Sequence, residues 1–155
     1  MVAEWVHRGK PTVLGVASGI VAGLATVTPA AGFIGPMAAL FIGLVAGTVC
    51  YAAVVWKMLL GYDDSLDVVG IHGVGGLMGI LATGLFASIG AQGLFFGNPE
   101  QFGIQVVLAL VTLTFSVIGT YLILKIVDVT VGLRVSGQDE EMGLDLSQHN
   151  ERAYS

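Results

Sequence analysis

His72 is the residue whose type and surroundings most directly suggest chemistry in this chain. It lies in the segment "DDSLDVVGIHGVGGLMG", residues 63–79, between glycines and aliphatic side chains. A neutral imidazole has one donor and one acceptor nitrogen, so it can accept a proton on one side and release one on the other. In an apolar helix it faces the protein interior or a water-filled path, because contact with lipid is costly. His72 therefore predicts either a proton-relay position or a hydrogen bond between two helices.

Asp67 stands five residues before His72, where the polar loop gives way to the apolar segment. A carboxylate at this position can cap the first turn of a helix. It can instead hold the helix through hydrogen bonds to neighbouring segments, which makes Asp67 the candidate structural carboxylate. The sequence leaves both interpretations open.

The sequence contains no candidate residues for a metal site or a phosphate-binding loop. Metal binding needs several ligands, and the apolar interior of the segments holds no second histidine or carboxylate. The glycines at 73–76 lack the lysine and hydroxyl residue of a phosphate-binding loop. We therefore expect no metal, no cofactor, no enzymatic activity and no nucleic-acid partner.

The elements that carry these residues follow from composition. The chain has 155 residues, 55% hydrophobic and 11% charged, whereas soluble domains average about 25% charged residues. Lys, Arg, Asp and Glu are absent from 11–56, 68–99 and 101–124. Because one bilayer crossing needs roughly 20 apolar residues, the sequence predicts an all-α membrane protein with four transmembrane helices. These spans are expected at about residues 11–31, 37–56, 66–87 and 102–127.

The basic residues predict the orientation. The loops at 32–36 and 88–101 contain none of them, and cytoplasmic segments collect Lys and Arg. We therefore expect a multi-pass protein of the cell membrane, surrounded by lipid, with both termini in the cytoplasm. Residues 1–131 are assigned to the transmembrane region and 132–155 to a cytoplasmic tail. The basic residues are Arg8, Lys10, Lys57, Lys125, Arg134 and Arg152.

Three motifs carry a resemblance to a known family. They are "GKPTVLGVASGIVAGLATVTPAAGFIGP", "GYDDSLDVVGIHGVGGLMGILATGLFA" and "DVTVGLRVSGQDEEMGLDLSQHNERAYS". In this order they resemble the C-terminal part of Amt-type ammonium transporters, in the Amt/MEP/Rh superfamily. Such proteins have eleven spans and form homotrimers, and the four spans here resemble spans eight to eleven. The resemblance implies a partial fold and a missing N-terminal half as partner.

The resemblance also implies roles for individual residues. His72 matches the second of two facing pore histidines, with ammonium or ammonia as the substrate. Thr28 matches a small polar position near the pore, and Val68 and Ile71 lie on the same helix as His72. These three residues are the pore-lining candidates. Val68 lies four residues before His72, on the same helix face. The Thr28 hydroxyl can instead bond to the backbone of its own helix.

The tail has two interpretations. Its composition alone predicts a flexible acidic arm. The family's tail, in contrast, packs under neighbouring subunits and meets PII signalling proteins. By that resemblance, Gly143 allows a tight turn and Asp145 pairs with a basic loop residue such as Lys57, so both are regulatory candidates.

The sequence alone is compatible with three functions. The first is the C-terminal part of an ammonium transporter that contributes one pore histidine. The second is an ammonium-sensing regulatory membrane protein, and the third is an inactive truncated fragment.

Overall fold

The computed structural model describes residues 1–152, which are helical and contain no β-strand. Two 3₁₀ turns, Thr28–Ala30 and Leu94–Phe96, and one π-helical turn, Val69–Gly73, interrupt the α-helices. The α-helices are α1 (Val2–Arg8), α2 (Val13–Val27), α3 (Pro36–Leu60), α4 (Val74–Phe86), α5 (Pro99–Thr130), α6 (Gly137–Met142) and α7 (Leu144–His149).

Four segments are long and apolar enough to cross a membrane, which confirms the predicted class and number of spans. The second and fourth extend beyond the predicted limits. The second continues through Lys57, just after its predicted end at residue 56, and the fourth gains about three residues at each end. A lysine near a span end can keep its charged head at the interface. The four segments are Val13–Ala30, Pro36–Leu60, Val69–Phe86 and Pro99–Thr130.

Local chemistry accounts for several helix ends. The Thr12 hydroxyl accepts a hydrogen bond from the Gly15 amide at 2.9 Å, so Thr12 caps α2. Pro36 occupies the first turn of α3, where its missing N–H costs nothing. Gly61 ends α3 with φ 69°, in the left-handed conformation common after helix ends.

The chain divides into two compact units, Met1–Thr112 and the remainder from Leu113. In the first unit, α2, α3 and α4 pack against one another. In the second, α6 packs against α7. The first unit holds two buried apolar clusters, one of Ala30, Ile34, Ile42 and Ala82, the other of Ala22, Cys50 and Ile71.

Candidate functional site

The site is built on Val69–Phe86, which we call the His72 helix. Its first five residues, Val69–Gly73, form the π turn, and α4 continues from there. The Val74 amide donates to the Val69 carbonyl, which closes the turn. His72 thus lies inside a turn that is wider than a regular α-helical turn.

His72 is exposed, whereas the neighbouring Ile71 is only 5% exposed. Gly70 and Gly75 are buried as well. The helix therefore packs through one side, and the imidazole lies outside that packed side.

Glycines let the packed side approach its neighbours closely. A Cβ on Gly70 would lie 2.9 Å from Val54 Cγ2. A Cβ on Gly79 would overlap the Thr26 carbonyl oxygen. Small residues permit such contacts between membrane helices, and here they fix the His72 helix against α2 and α3.

Gly75 packs onto two polar side chains. Its added Cβ would lie 2.8 Å from Thr26 Oγ1 and 3.3 Å from Cys50 Sγ. Thr26 is fully buried, and its hydroxyl makes no hydrogen bond of normal geometry within residues 1–152. The Cys50 thiol donates a weak bond to the Ile71 carbonyl, with Sγ and O 3.9 Å apart. The sequence analysis did not single out Thr26 or Cys50, which lie on α2 and α3.

Three polar residues meet where the His72 helix begins. The Lys57 ammonium forms an ion pair with the Asp67 carboxylate and donates to the Asp64 carbonyl oxygen at 2.6 Å. The Asp64 carboxylate accepts from the amides of Val68 and Val69, both at 2.9 Å. We call Lys57, Asp64 and Asp67 the Lys57 cluster. Asp64 acts as the capping carboxylate, while Asp67 joins the start of the helix to α3.

The predicted pore-lining residues do not share one surface. Val68 is 47% exposed, as expected for a residue on the face of His72. Ile71 packs in the cluster with Ala22 and Cys50 instead. The Thr28 hydroxyl donates to the Leu24 carbonyl at 2.6 Å, so it bonds to its own helix. Val68 and His72 are therefore both exposed, whereas Ile71 is buried and the Thr28 hydroxyl bonds to its own helix.

The tail residues lie in the second unit. Gly143 joins α6 to α7 with φ 96° and ψ 136°, a conformation that favours glycine. The Asp145 carboxylate folds back toward it, 2.7 Å from the place of a Gly143 Cβ. The Arg134 guanidinium binds the Glu140 carboxylate and holds the pKa of that carboxyl below its ordinary value. The part of the tail that the structure describes is thus folded locally into two short helices.

Potential metal ligands are dispersed: within residues 1–152, no three His, Cys, Asp or Glu side chains come together as a metal site requires. The geometry instead presents one imidazole on a helix whose other side is fixed.

The model of the Ammonium Transporter Family matches residues 1–154. The chain belongs to this family. Curated relatives support the assignment: the chain is 49% identical to an ammonium transporter of Aquifex aeolicus and 46% identical to one of Bacillus subtilis. The alignments cover 100% and 99% of this chain, but 37% and 40% of the two relatives. The chain thus spans about two fifths of the length of these family members.

Solved structures in this family have the same fold over the shared region. Saccharomyces cerevisiae Mep2 superposes with a TM-score of 0.81 at 37% identity, over 89% of this chain and 34% of Mep2. Candida albicans Mep2 gives a TM-score of 0.80 at 32% identity. The partial family fold that the motifs predicted is therefore confirmed.

Proposed function

We propose that this chain is the C-terminal, four-span part of an ammonium transporter and that His72 lines its conduction path. The observation that carries the proposal is the placement of His72. It is an exposed imidazole on an apolar helix whose other side is fixed against α2 and α3. An imidazole in such a position is expected to face a polar path or a partner helix rather than lipid.

The chemistry of the substrate explains why one polar group is useful there. Moving a hydrated cation into an apolar path is expensive, whereas neutral ammonia crosses such a path more easily. An imidazole can take the proton that ammonium leaves and pass it on through its other nitrogen. In this proposal His72 supplies one member of the relay, and Val68 contributes an apolar wall on the same face.

The conduction path needs further helices. Ala109 is the single buried residue in the described span Pro99–Thr130, whereas 39% of the His72 helix is buried within this chain. We propose that the remaining spans of the transporter cover the face that carries His72, and that complete subunits form a homotrimer in the cell membrane. We also propose that both termini lie in the cytoplasm, where the tail can bind a PII signalling protein.

Substitution of His72 tests the proposal. In a completed transporter, His72→Ala should abolish proton-coupled ammonium uptake and allow leakier cation passage, because water can then enter the apolar barrier. The measurement is ammonium-evoked current and labelled methylammonium uptake in proteoliposomes.

His7→Ala is the matched control, because His7 lies in α1, outside the candidate spans. It should leave the currents unchanged. Wild-type currents and selectivity in His72→Ala would show that His72 is structural and not part of a relay.

A further inference from the structure

The His72 helix starts from an unusual backbone conformation. Asp67 has φ 58°, in the left-handed region that few residues other than glycine occupy. Aspartate tolerates this region better than most residues. The Asp67 carbonyl already accepts a hydrogen bond from the Ile71 amide at 2.9 Å, so the strained residue leads directly into the helix.

The Lys57 cluster holds this conformation from two sides. One ammonium group, that of Lys57, contacts both the Asp67 carboxylate and the Asp64 carbonyl. The Lys57 and Asp67 side chains are 18% and 23% exposed, so they are partly protected from water. The Asp64 carboxylate fixes the amides of Val68 and Val69. The ion pair thus ties the end of α3 to the first turn of the His72 helix.

The π turn lies between this cluster and the contacts of Gly75 and Gly79. A π turn holds one residue more than an α-helical turn and is rarely stable by itself. If it relaxes, the segments on its two sides shift by one residue relative to each other, about 100° of rotation. The segment from Gly75 onward is fixed by Thr26 and Cys50, so the movement falls on the residues of the turn.

Space for such a movement is present beside the turn. A cavity of about 150 Å³ is bounded by residues of α1, α2 and α3, and Asp67, Ile71 and Cys50 line it. This cavity gives the Ile71 side chain space to move away from Cys50 when the turn relaxes. Relaxation would also turn His72 from its exposed position toward the packed side.

We infer that Lys57 and Asp67 are positioning residues for His72, because their ion pair keeps the π turn that holds the imidazole on the exposed side. A role of this ion pair in conduction rests on the proposed function of His72. The position of the imidazole does not depend on that function.

Two chemical probes report the geometry without any transport. Cys50 is the single cysteine of the chain and is 1% exposed, so a membrane-permeant maleimide should react with it slowly. Diethyl pyrocarbonate modifies imidazoles, and peptide mass spectrometry can quantify modification at His72. Both rates are measured on the 155-residue chain in lipid bilayers.

The variants are Lys57→Met and Asp67→Asn, with Lys57→Arg as the conservative replacement. Lys125→Met is the control, because Lys125 is another lysine near a span end but is exposed and contacts the Tyr121 ring instead. In the first two variants we expect Cys50 to react at least fivefold faster and His72 to react several-fold more slowly. Lys57→Arg and Lys125→Met should behave like the wild type.

A faster reaction at Cys50 together with a slower reaction at His72 indicates that the helix has been repositioned. Unfolding would instead make both residues react faster. Unchanged rates in Lys57→Met and Asp67→Asn, or a rise in both, would overturn the inference. Because no uptake is measured, this result is independent of whether His72→Ala abolishes transport.

Discussion

Glu4 is an almost fully buried carboxylate that holds the start of α2 in place. Its oxygens accept hydrogen bonds from the Thr12 hydroxyl at 2.7 Å and the Thr12 amide at 3.2 Å. Gly15 leaves room for the carboxylate, since a Cβ there would overlap Glu4 Oε2. The short helix α1 is in this way joined to the cap of the first span.

These bonds predict a pH dependence of stability. Hydrogen bonds from the Thr12 hydroxyl and then the Thr12 amide lower the pKa of Glu4 from its ordinary value of 4.5. A lowered folded-state pKa means that the stabilisation is fully present above about pH 4.5 and is lost as the pH falls through the lower value. Between about pH 7 and pH 3, the wild type should lose more thermal stability in detergent than Glu4→Gln does.

Glu141→Gln is the control for this measurement, because Glu141 is an exposed acid in α6. It should follow the wild-type pH profile. Parallel profiles for the wild type and Glu4→Gln would remove the stabilising role assigned to the Glu4 carboxylate.

Asp64 and Asp67 have different roles that their residue type does not distinguish: Asp64 caps the helix, and Asp67 pairs with Lys57. Both aspartates precede the same helix, and the sequence permits either to cap it. In the structure Asp64 caps the helix, because its carboxylate accepts hydrogen bonds from the Val68 and Val69 amides. Asp67 has a left-handed φ and does not make these bonds. A backbone angle in a polar loop depends on contacts such as that with Lys57, which the local sequence does not encode.

At the scale of the helix, Gly75 and Gly76 offer a matched pair. A methyl group at Gly75 would meet Thr26 Oγ1 and Cys50 Sγ, whereas one at Gly76 would meet nothing within 4 Å. Gly75→Ala should therefore lower the free energy of unfolding by about 1–3 kcal/mol, the usual cost of overpacking. Gly76→Ala should leave it unchanged or raise it slightly, because alanine favours helix.

The measurement is unfolding in mixed micelles at increasing denaturing detergent, with both variants in parallel. Equal stability of Gly75→Ala and Gly76→Ala would mean that the helices are not in the close contact described here.

Gly143 allows a second matched pair, in the tail. A side chain at φ 96° is strained, at a cost of order 1–3 kcal/mol, and a Gly143 Cβ would also contact the Asp145 carboxylate. If the tail is a regulatory contact, Gly143→Asp should lower uptake by a completed transporter several-fold at equal membrane expression. Gly137→Asp is the control, because a Cβ at Gly137 meets nothing within 4 Å.

Full uptake by Gly143→Asp would remove the regulatory role proposed for this turn. Reduced uptake by Gly137→Asp to the same extent would indicate a charge effect and not a conformational one.

The spans were predictable because hydropathy is a property of composition over about 20 residues. The π turn was not, since Val69–Gly73 shows no pattern that separates it from regular helix. Its conformation depends on the Lys57 cluster and on the contacts of Gly75, which lie on other elements. Ile71 illustrates the consequence, because one extra residue in the turn changes which side chain faces Cys50.

At the scale of the whole molecule, the four spans can form their own backbone hydrogen bonds and so insert into a bilayer. The His72 face is then left without partner helices, and surfaces suited to close approach associate with other helices. We expect the chain alone to insert with both termini cytoplasmic, to self-associate loosely and to transport no ammonium.

Complementation provides the measurement. The chain is expressed in a cell that lacks ammonium transporters, with or without the remaining spans as a second chain, and growth is followed on low ammonium at acidic pH. Growth should require both chains. Growth with the 155-residue chain alone would contradict the proposal that the path needs further helices.

The π turn also has a consequence for comparing family sequences. An extra residue within a helix is equivalent to a single insertion, so a relative with one residue fewer between the positions of Asp67 and Gly75 should have a regular helix here. Its histidine would then point in another direction although the surrounding motif still aligned. A one-residue gap between these positions therefore means that the histidine side chain points in a different direction. The role of His72 should not be assigned by alignment to relatives that carry this gap.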